Sequence, residues 1–269
     1  VKHAGRRIRL DLTYDGTDFA GWQVQPRRRT VQGVVEDALT EIQGAERVSV
    51  RGAGRTDAGV HAGHQVADCE IRSRLDDPSL EQALRRMLPR DVRPLRVVTV
   101  PPEFHAQRDA LAKTYRYRLD LSRHGDPFEA RYALHHPHRL DVEVLATALR
   151  GLPGRRDWTG LAASACDKLD RIRHLTEAAL ERPAADRLCL RFTADGFLQH
   201  MVRNLVGTLL EIAGGRMPPE TIEQALGSRD RSRAGPTAPA HGLCLARVLY
   251  REEDERGEGE RGRGREQGR

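Results

Sequence analysis

The chain has 269 residues, 38% of them hydrophobic and 31% charged, enough to bury a sizeable core in one large domain or two small ones. Its net charge of +6 is carried almost wholly by arginine, since Lys2, Lys113 and Lys168 are the only lysines; this suits a polyanionic partner, although a solvated basic surface is the plainer reading of the same charge. Cys69, Cys166, Cys189 and Cys244 are scattered, with neither a CxxC pair nor zinc spacing, and no apolar run has the length of a membrane span or the make-up of a signal peptide. Disulfide scaffolds, zinc sites and membrane-spanning classes are thereby excluded, and the expected compartment is the cytoplasm.

In chain order, Ile8, Leu10, Leu12 and Tyr14 alternate with Arg9, Asp11 and Thr13, the pattern of a strand with one buried face. Thr30 is a candidate N-cap for a helix with Val31, Val34, Val35, Ala38, Leu39 and Ile42 on one stripe. Strands are expected at Val48–Val50 and Gln65–Ile71, a helix at Leu80–Leu88 and a strand at Leu95–Val100. The same order then recurs. Tyr115, Tyr117, Leu119 and Leu121 alternate with polar residues, and Asp141 caps a helix bearing Val142, Leu145, Leu149 and Leu152. Strands near Thr176–Leu180 and Leu188–Thr193 lead to an apolar helix over Leu198–Ile212, a short helix near Pro219–Leu226 and a strand at Leu243–Tyr250. Each half reads as strand, helix, two strands, helix, strand, the ferredoxin-like split βαβ order. The expected fold is therefore α+β, with two such halves joining their sheets side by side around a central cleft: residues 1–105, then 106–250. Residues 251–269 mix Glu, Arg and Gly with no apolar side chain and are expected to form a disordered charged tail.

The segment from Arg51 to His61, RGAGRTDAGVH, carries the chemistry. Its glycines give backbone freedom between two strands, so it is expected to be a loop at a sheet end, where catalytic groups gather. Asp57 sits in its middle, with Arg55 two residues before it and Arg51 nearby. A guanidinium beside a carboxylate keeps it ionised, as a covalent nucleophile requires. The structural alternative is an Asx turn or helix cap in a loop that merely turns. The loop is neither a P-loop nor a dinucleotide fingerprint. His61 and His64 have metal-ligand spacing but no third ligand nearby, which favours ordinary polar or core histidines.

GRTDAGVHAGHQVA resembles the active-site motif of the TruA family of tRNA pseudouridine synthases, and the resemblance extends over nearly all of residues 8–250. Tyr14-Asp-Gly-Thr with Gly21-Trp-Gln, Thr30-Val-Gln-Gly, the tyrosine strand Lys113-Thr-Tyr-Arg-Tyr117, Phe197-Leu-Gln-His-Met-Val-Arg-Asn-Leu-Val-Gly207 and the turn Thr237-Ala-Pro-Ala-His-Gly242 follow in the family's order. Two segments depart from it: Gln107-Arg-Asp-Ala110 stands for a more usual Arg-Phe-Ser-Ala, and Arg86-Met-Leu-Pro89 for an Asn-containing stretch.

The resemblance implies a pseudouridine synthase fold and isomerisation of uridine to pseudouridine in the tRNA anticodon stem-loop, at positions 38–40, with no metal or redox cofactor. It implies Asp57 as nucleophile, by attack at C1′, by attack at C6 or through a glycal. It implies Tyr115 against the detached base, stacking on it and taking the C5 proton; a core aromatic is the alternative for the same pattern. Arg55 is implied to touch the phosphate or the flipped nucleotide, and Arg203 to pair with Asp57 or RNA rather than in a surface salt bridge. Arg27-Arg-Arg29 and Arg85-Arg86 are candidate phosphate contacts, with a simply solvated cluster as the alternative for each. A homodimer is expected by resemblance only. Two rival readings remain: a non-catalytic structured-RNA-binding or RNA-chaperone protein on this scaffold, and a glycosidase-like hydrolase, which would need a second, paired carboxylate.

Overall fold

A computed structural model describes residues 5–44, 46–166 and 168–251. The charged tail expected at 251–269 lies, beyond Arg251, outside the described residues.

β1 (Arg6–Tyr14) sends Ile8, Leu10, Leu12 and Tyr14 into the core as the alternation predicts. Its second face is not exposed, however. Arg9 and Asp11 are buried there as an ion pair 2.7 Å apart, and the Arg9 guanidinium lies 4.7 Å from the centre of the Tyr250 ring. Tyr250, just after the chain's last strand, thus covers a charged pair with an aromatic ring instead of water. Thr30 caps α1 (Val31–Gln43) by accepting from the Gly33 N–H. Asp76 and Asp141 do the same for α2 (Asp77–Met87) and α3 (Val142–Arg150).

The strand expected at Val48–Val50 does not form. Both valines are buried, but Thr40 and Glu36 side chains from α1 take the Val48 and Val50 N–H groups, and Gln32 donates to the Val50 carbonyl. With its backbone groups spoken for by a helix, the segment has no ladder to join. Pairing begins only at β2 (Arg51–Gly52), which meets the far end of β3 (His61–Ile71). β4 (Val92–Thr99) lies on the other side of β1.

β5 (Ala112–Asp120) opens the second half and is followed by a two-residue β6 (Leu134–His135), α3 and β7 (Gly154–Asp157), an edge strand that the sequence pattern did not indicate. β8 (Ile172–Ala184) and β9 (Arg187–Ala194) pair antiparallel, and α4 (Met201–Ala213), α5 (Thr221–Ser228) and β10 (Leu243–Leu249) complete the chain.

The main strands form one mixed sheet in the order β4-β1-β3-β10-β5-β9-β8-β7. β1 lies between β4 and β3, and β5 between β10 and β9, so in each half the first strand is flanked by the last and the next to last, the split βαβ permutation, and the fold is α+β as expected. The halves meet where β10 runs parallel to the start of β3, with Cys244 opposite His61 and Leu245 opposite Ala62. β2 pairs only with Asp68 and Ala67 at the other end of β3, which leaves that edge free for β10. The loop joining β2 to β3 therefore opens directly onto the seam between the halves.

Candidate active site

The residue 53–60 loop is held almost atom by atom. Ala53 donates to Val66, Gln65 donates from a fully buried amide to the Gly54 carbonyl at 2.8 Å, and the Thr56 hydroxyl meets the Tyr14 hydroxyl at 2.8 Å. The Trp22 N–H binds the Thr56 carbonyl, and the Val60 N–H closes a tight turn on the Asp57 carbonyl. Gly21, at φ 95°, passes so near that a Cβ would stand 2.7 Å from the Thr56 oxygen. This contact accounts for the Gly21-Trp-Gln segment: it is a clamp on the loop, and only glycine fits it.

The clamped loop presents the Asp57 carboxylate to the first turn of α4. Arg203 Nη1 lies 3.1 Å from Asp57 Oδ2, and His200 Nε2 lies 3.5 Å from the same oxygen. Arg203 is itself fixed, because its Nε donates to the Ala238 carbonyl at 2.8 Å while the Ala238 N–H returns to the Arg203 carbonyl. The Tyr117 hydroxyl holds the neighbouring Pro239 carbonyl at 2.9 Å. About a quarter of the Asp57 side chain is exposed, and its Oδ1 makes no hydrogen bond among the described residues. One oxygen is thus held by a guanidinium, and the other has no hydrogen-bond partner among the described residues.

Tyr115 comes to this site from β5, between Leu245 and Phe192 on the flanking strands. Its ring packs edge-on against Phe197, with centroids 5.1 Å apart. Burial pushes the phenol far above its ordinary range, and the charges of Tyr14 and Asp57 push the same way. The hydroxyl is therefore a neutral donor in the free protein, and losing its own proton, which must precede taking another, is disfavoured until a substrate group reaches it.

Arg55 points outward, exposed and with no hydrogen bond or ion pair among the described residues. Arg51, expected beside Asp57, instead grips the fully buried Asp68 at 2.6 Å, a carboxylate that also receives Arg7 and the Ala106 N–H. The guanidinium beside Asp57 comes from Arg203, 146 residues away in sequence, and not from its own loop.

His61 and His64 are structural. His61 Nδ1 accepts from the Gly16 N–H and its Nε2 lies between the Arg131 and His241 carbonyls, while His64 accepts from the Val248 N–H. Among the described residues no group of three or more His, Cys, Asp or Glu side chains is arranged to hold a metal ion. Of the basic clusters, Arg29 is neutralised by a two-point pair with Asp91 and Arg85 pairs with Glu81. Gln107-Arg-Asp109 closes a turn of its own: Asp109 accepts from the His105 N–H and from Arg108.

His200 and Phe197 were missed as functional neighbours. His200 takes a left-handed backbone at the start of α4, φ 59°, a conformation costly for a side-chain-bearing residue and often found at sites. No local pattern signals it, because its place beside Asp57 exists only once the halves are joined.

The family described as tRNA pseudouridine synthase matches residues 12–107 and 148–251. A tRNA pseudouridine synthase A of Latilactobacillus sakei is 41% identical over 91% of this chain and 99% of its own length. Its counterpart in Streptococcus mutans is 40% identical over 91% and 98%. The solved structure of an archaeal box H/ACA sRNP Nop10-Cbf5 complex aligns at 10% identity over 85% of this chain and 59% of that one, with a TM-score of 0.34, too slight a likeness to bear on the fold.

Proposed function

The chain belongs to the family of tRNA pseudouridine synthases, and from that premise we propose that it isomerises uridine in the anticodon stem-loop of tRNA with Asp57 as nucleophile. The observation that carries this reading is the division of labour at one carboxylate: Arg203 grips Oδ2 from a helix of the second half, while Oδ1 has no hydrogen-bond partner among the described residues. A fixed, charge-paired carboxylate with one open oxygen is what nucleophilic attack on a nucleotide needs.

The target uridine leaves its stack, at a cost of a few kcal/mol. By the route through C1′, Oδ1 bonds to C1′ as the N1–C1′ bond breaks, and the freed base turns. C5 then bonds to C1′ as the ester bond to Asp57 breaks and restores the carboxylate, and the proton that C5 gives up is matched by one taken at N1, so the product has the atoms of the substrate. Tyr115 and the Phe197 ring behind it supply the surface against which the loose base turns, and Tyr115 donates its hydroxyl. Arg55, exposed on the same loop and unpaired among the described residues, holds the everted nucleotide or its phosphate. No step calls on a cofactor. The protein acts as a homodimer, by likeness to its family, and in each subunit residues 1–105 bring the nucleophile while 106–250 bring Tyr115 and Arg203. A non-catalytic RNA-binding role has no observation in its favour, since the carboxylate and the tyrosine are both in place.

Unmodified tRNA incubated with the wild-type protein, Asp57→Ala and Asp57→Asn tests the reading. Wild-type protein forms pseudouridine in the anticodon arm, and both variants bind tRNA but form none. Turnover by Asp57→Ala would remove the nucleophile from the mechanism.

A further inference from the structure

Lys113 is two residues before Tyr115 on β5, so both side chains lie on the same face of the strand. Its Cε and Nζ lie against Gly54 of the catalytic loop, 3.6 Å from where a Cβ on that glycine would stand. The side chain is mostly withdrawn from water, yet among the described residues the ammonium donates no hydrogen bond and has no carboxylate within ion-pair distance. The charged groups that act on it are Arg173 on β8, Asp195 just after β9 and Lys168 in the loop before β8. Asp195 is already engaged, accepting from the His174 N–H at 3.0 Å. A cation largely held out of water, with no direct ion-pair or hydrogen-bond partner among the described residues, is costly to keep unless a ligand completes it.

We propose that Lys113 holds a phosphate of the tRNA backbone adjoining the target uridine, and so adds to the affinity with which the tRNA is held over the Asp57 loop. The proposal rests on the tRNA reading above. A phosphate fits better than a base carbonyl, because the ammonium has no direct ion-pair partner among the described residues and a phosphodiester offers full negative charge with several acceptor oxygens. It also fits better than an intramolecular role, since Asp57 has its own guanidinium in Arg203. Burial, with Arg173 adding to it, pulls the Lys113 ammonium down to about 8. A phosphate binds only the charged form, so the contact is complete at pH 7 and fades as pH rises through 8.

The test measures tRNA affinity across a salt series, and separately the single-turnover rate at saturating protein, for the full chain and for Lys113→Met and Lys113→Arg. Loss of one phosphate contact lowers the slope of log affinity against log salt by roughly 0.7–0.9. Lys113→Met is expected to show that loss and to bind roughly tenfold more weakly, with a saturating rate within about threefold of wild type. Lys113→Arg is expected to restore the slope. Wild-type affinity falls between pH 7 and 9, and that of Lys113→Arg does not, a comparison that stands even if Lys113→Met folds poorly. An unchanged salt slope in Lys113→Met, or a slope preserved while the saturating rate collapses, overturns the proposal; the second outcome would put Lys113 on the base instead. A wild-type affinity as flat with pH as that of Lys113→Arg overturns it too. Asp57→Ala, run alongside, keeps wild-type affinity and slope while losing turnover, so failure of the nucleophile reading shows in the rate alone and failure of the phosphate contact in the slope alone.

Discussion

Arg203 is tied at two points, by Nε to the Ala238 carbonyl and by Nη1 to Asp57. A lysine in its place keeps the charge but has a single ammonium, which cannot serve both partners across the same fork. Arg203→Lys is expected to lower the single-turnover rate on the order of 10–100-fold, from the loss of one charge-assisted hydrogen bond, while tRNA affinity stays near wild type. A variant that loses affinity in proportion to rate would place Arg203 on the RNA instead. Lys113 has a thermodynamic signature as well as a binding one. Its folded-state value, about 8, lies below the ordinary lysine value of 10.5, so between those two values the unfolded chain holds more proton than the folded one. Stability then rises with pH through that window, and below pH 8 the charged ammonium is a full burden on the fold. Lys113→Met is accordingly expected to melt higher than wild type at pH 7, with the gap narrowing by pH 9; calorimetry at the two pH values checks this. A residue that destabilises the free protein at working pH is one kept for a ligand.

Among the elements, α4 has the most exacting seat, because it brings His200 and Arg203 to Asp57. Asn204 is buried beside Arg203: its amide donates to the Leu161 carbonyl and its oxygen accepts from Arg231 and Thr237. One turn on, Gly207 faces the Pro236 carbonyl so closely that a Cβ would stand 1.7 Å from that oxygen. The opposing atom is backbone, so it cannot swing aside as a side-chain end would. Gly207→Ala is expected to cost at least ~3 kcal/mol, read as a large fall in melting temperature, because either α4 or the turn carrying Ala238 must move. Near-normal stability in this variant would show that the turn shifts freely, and Arg203 could not then be called fixed. The same elements separate what periodicity reveals from what it hides. The caps at Thr30, Asp76 and Asp141 stand beside the apolar stripes they start, so α1 and α3 are legible with their caps in the chain itself. Val48–Val50 has a strand's composition, but whether its N–H groups meet a neighbouring strand or the Glu36 and Thr40 side chains depends on a helix packed across them.

For the molecule as a whole, the parallel contact of β10 with β3 makes the two halves one sheet, and the site is divided across that seam. Neither half holds Asp57 and Arg203 together, so they are expected to unfold as a unit. Trp22 and Trp158 are both buried, one in each half, and offer separate reporters. Trp22→Phe and Trp158→Phe leave one fluorophore apiece, and the denaturant midpoints of each variant by fluorescence and by circular dichroism are expected to coincide. Two transitions resolved by the two reporters would show that the halves fold alone and that the seam adds little.

The sequence by itself determined the α+β class, the repeated order of elements, the loop carrying Asp57 and the strand carrying Tyr115, because periodicity, capping residues and a glycine-rich motif are properties of neighbouring residues. Only the tertiary structure decided which arginine braces the carboxylate, that Arg51 serves Asp68 instead, that His200 stands beside Asp57, and that Lys113 has no direct ion-pair partner among the described residues. Those are matters of distance between groups far apart along the chain. The electrostatic energy that gives them meaning falls with separation in space, which no local pattern encodes.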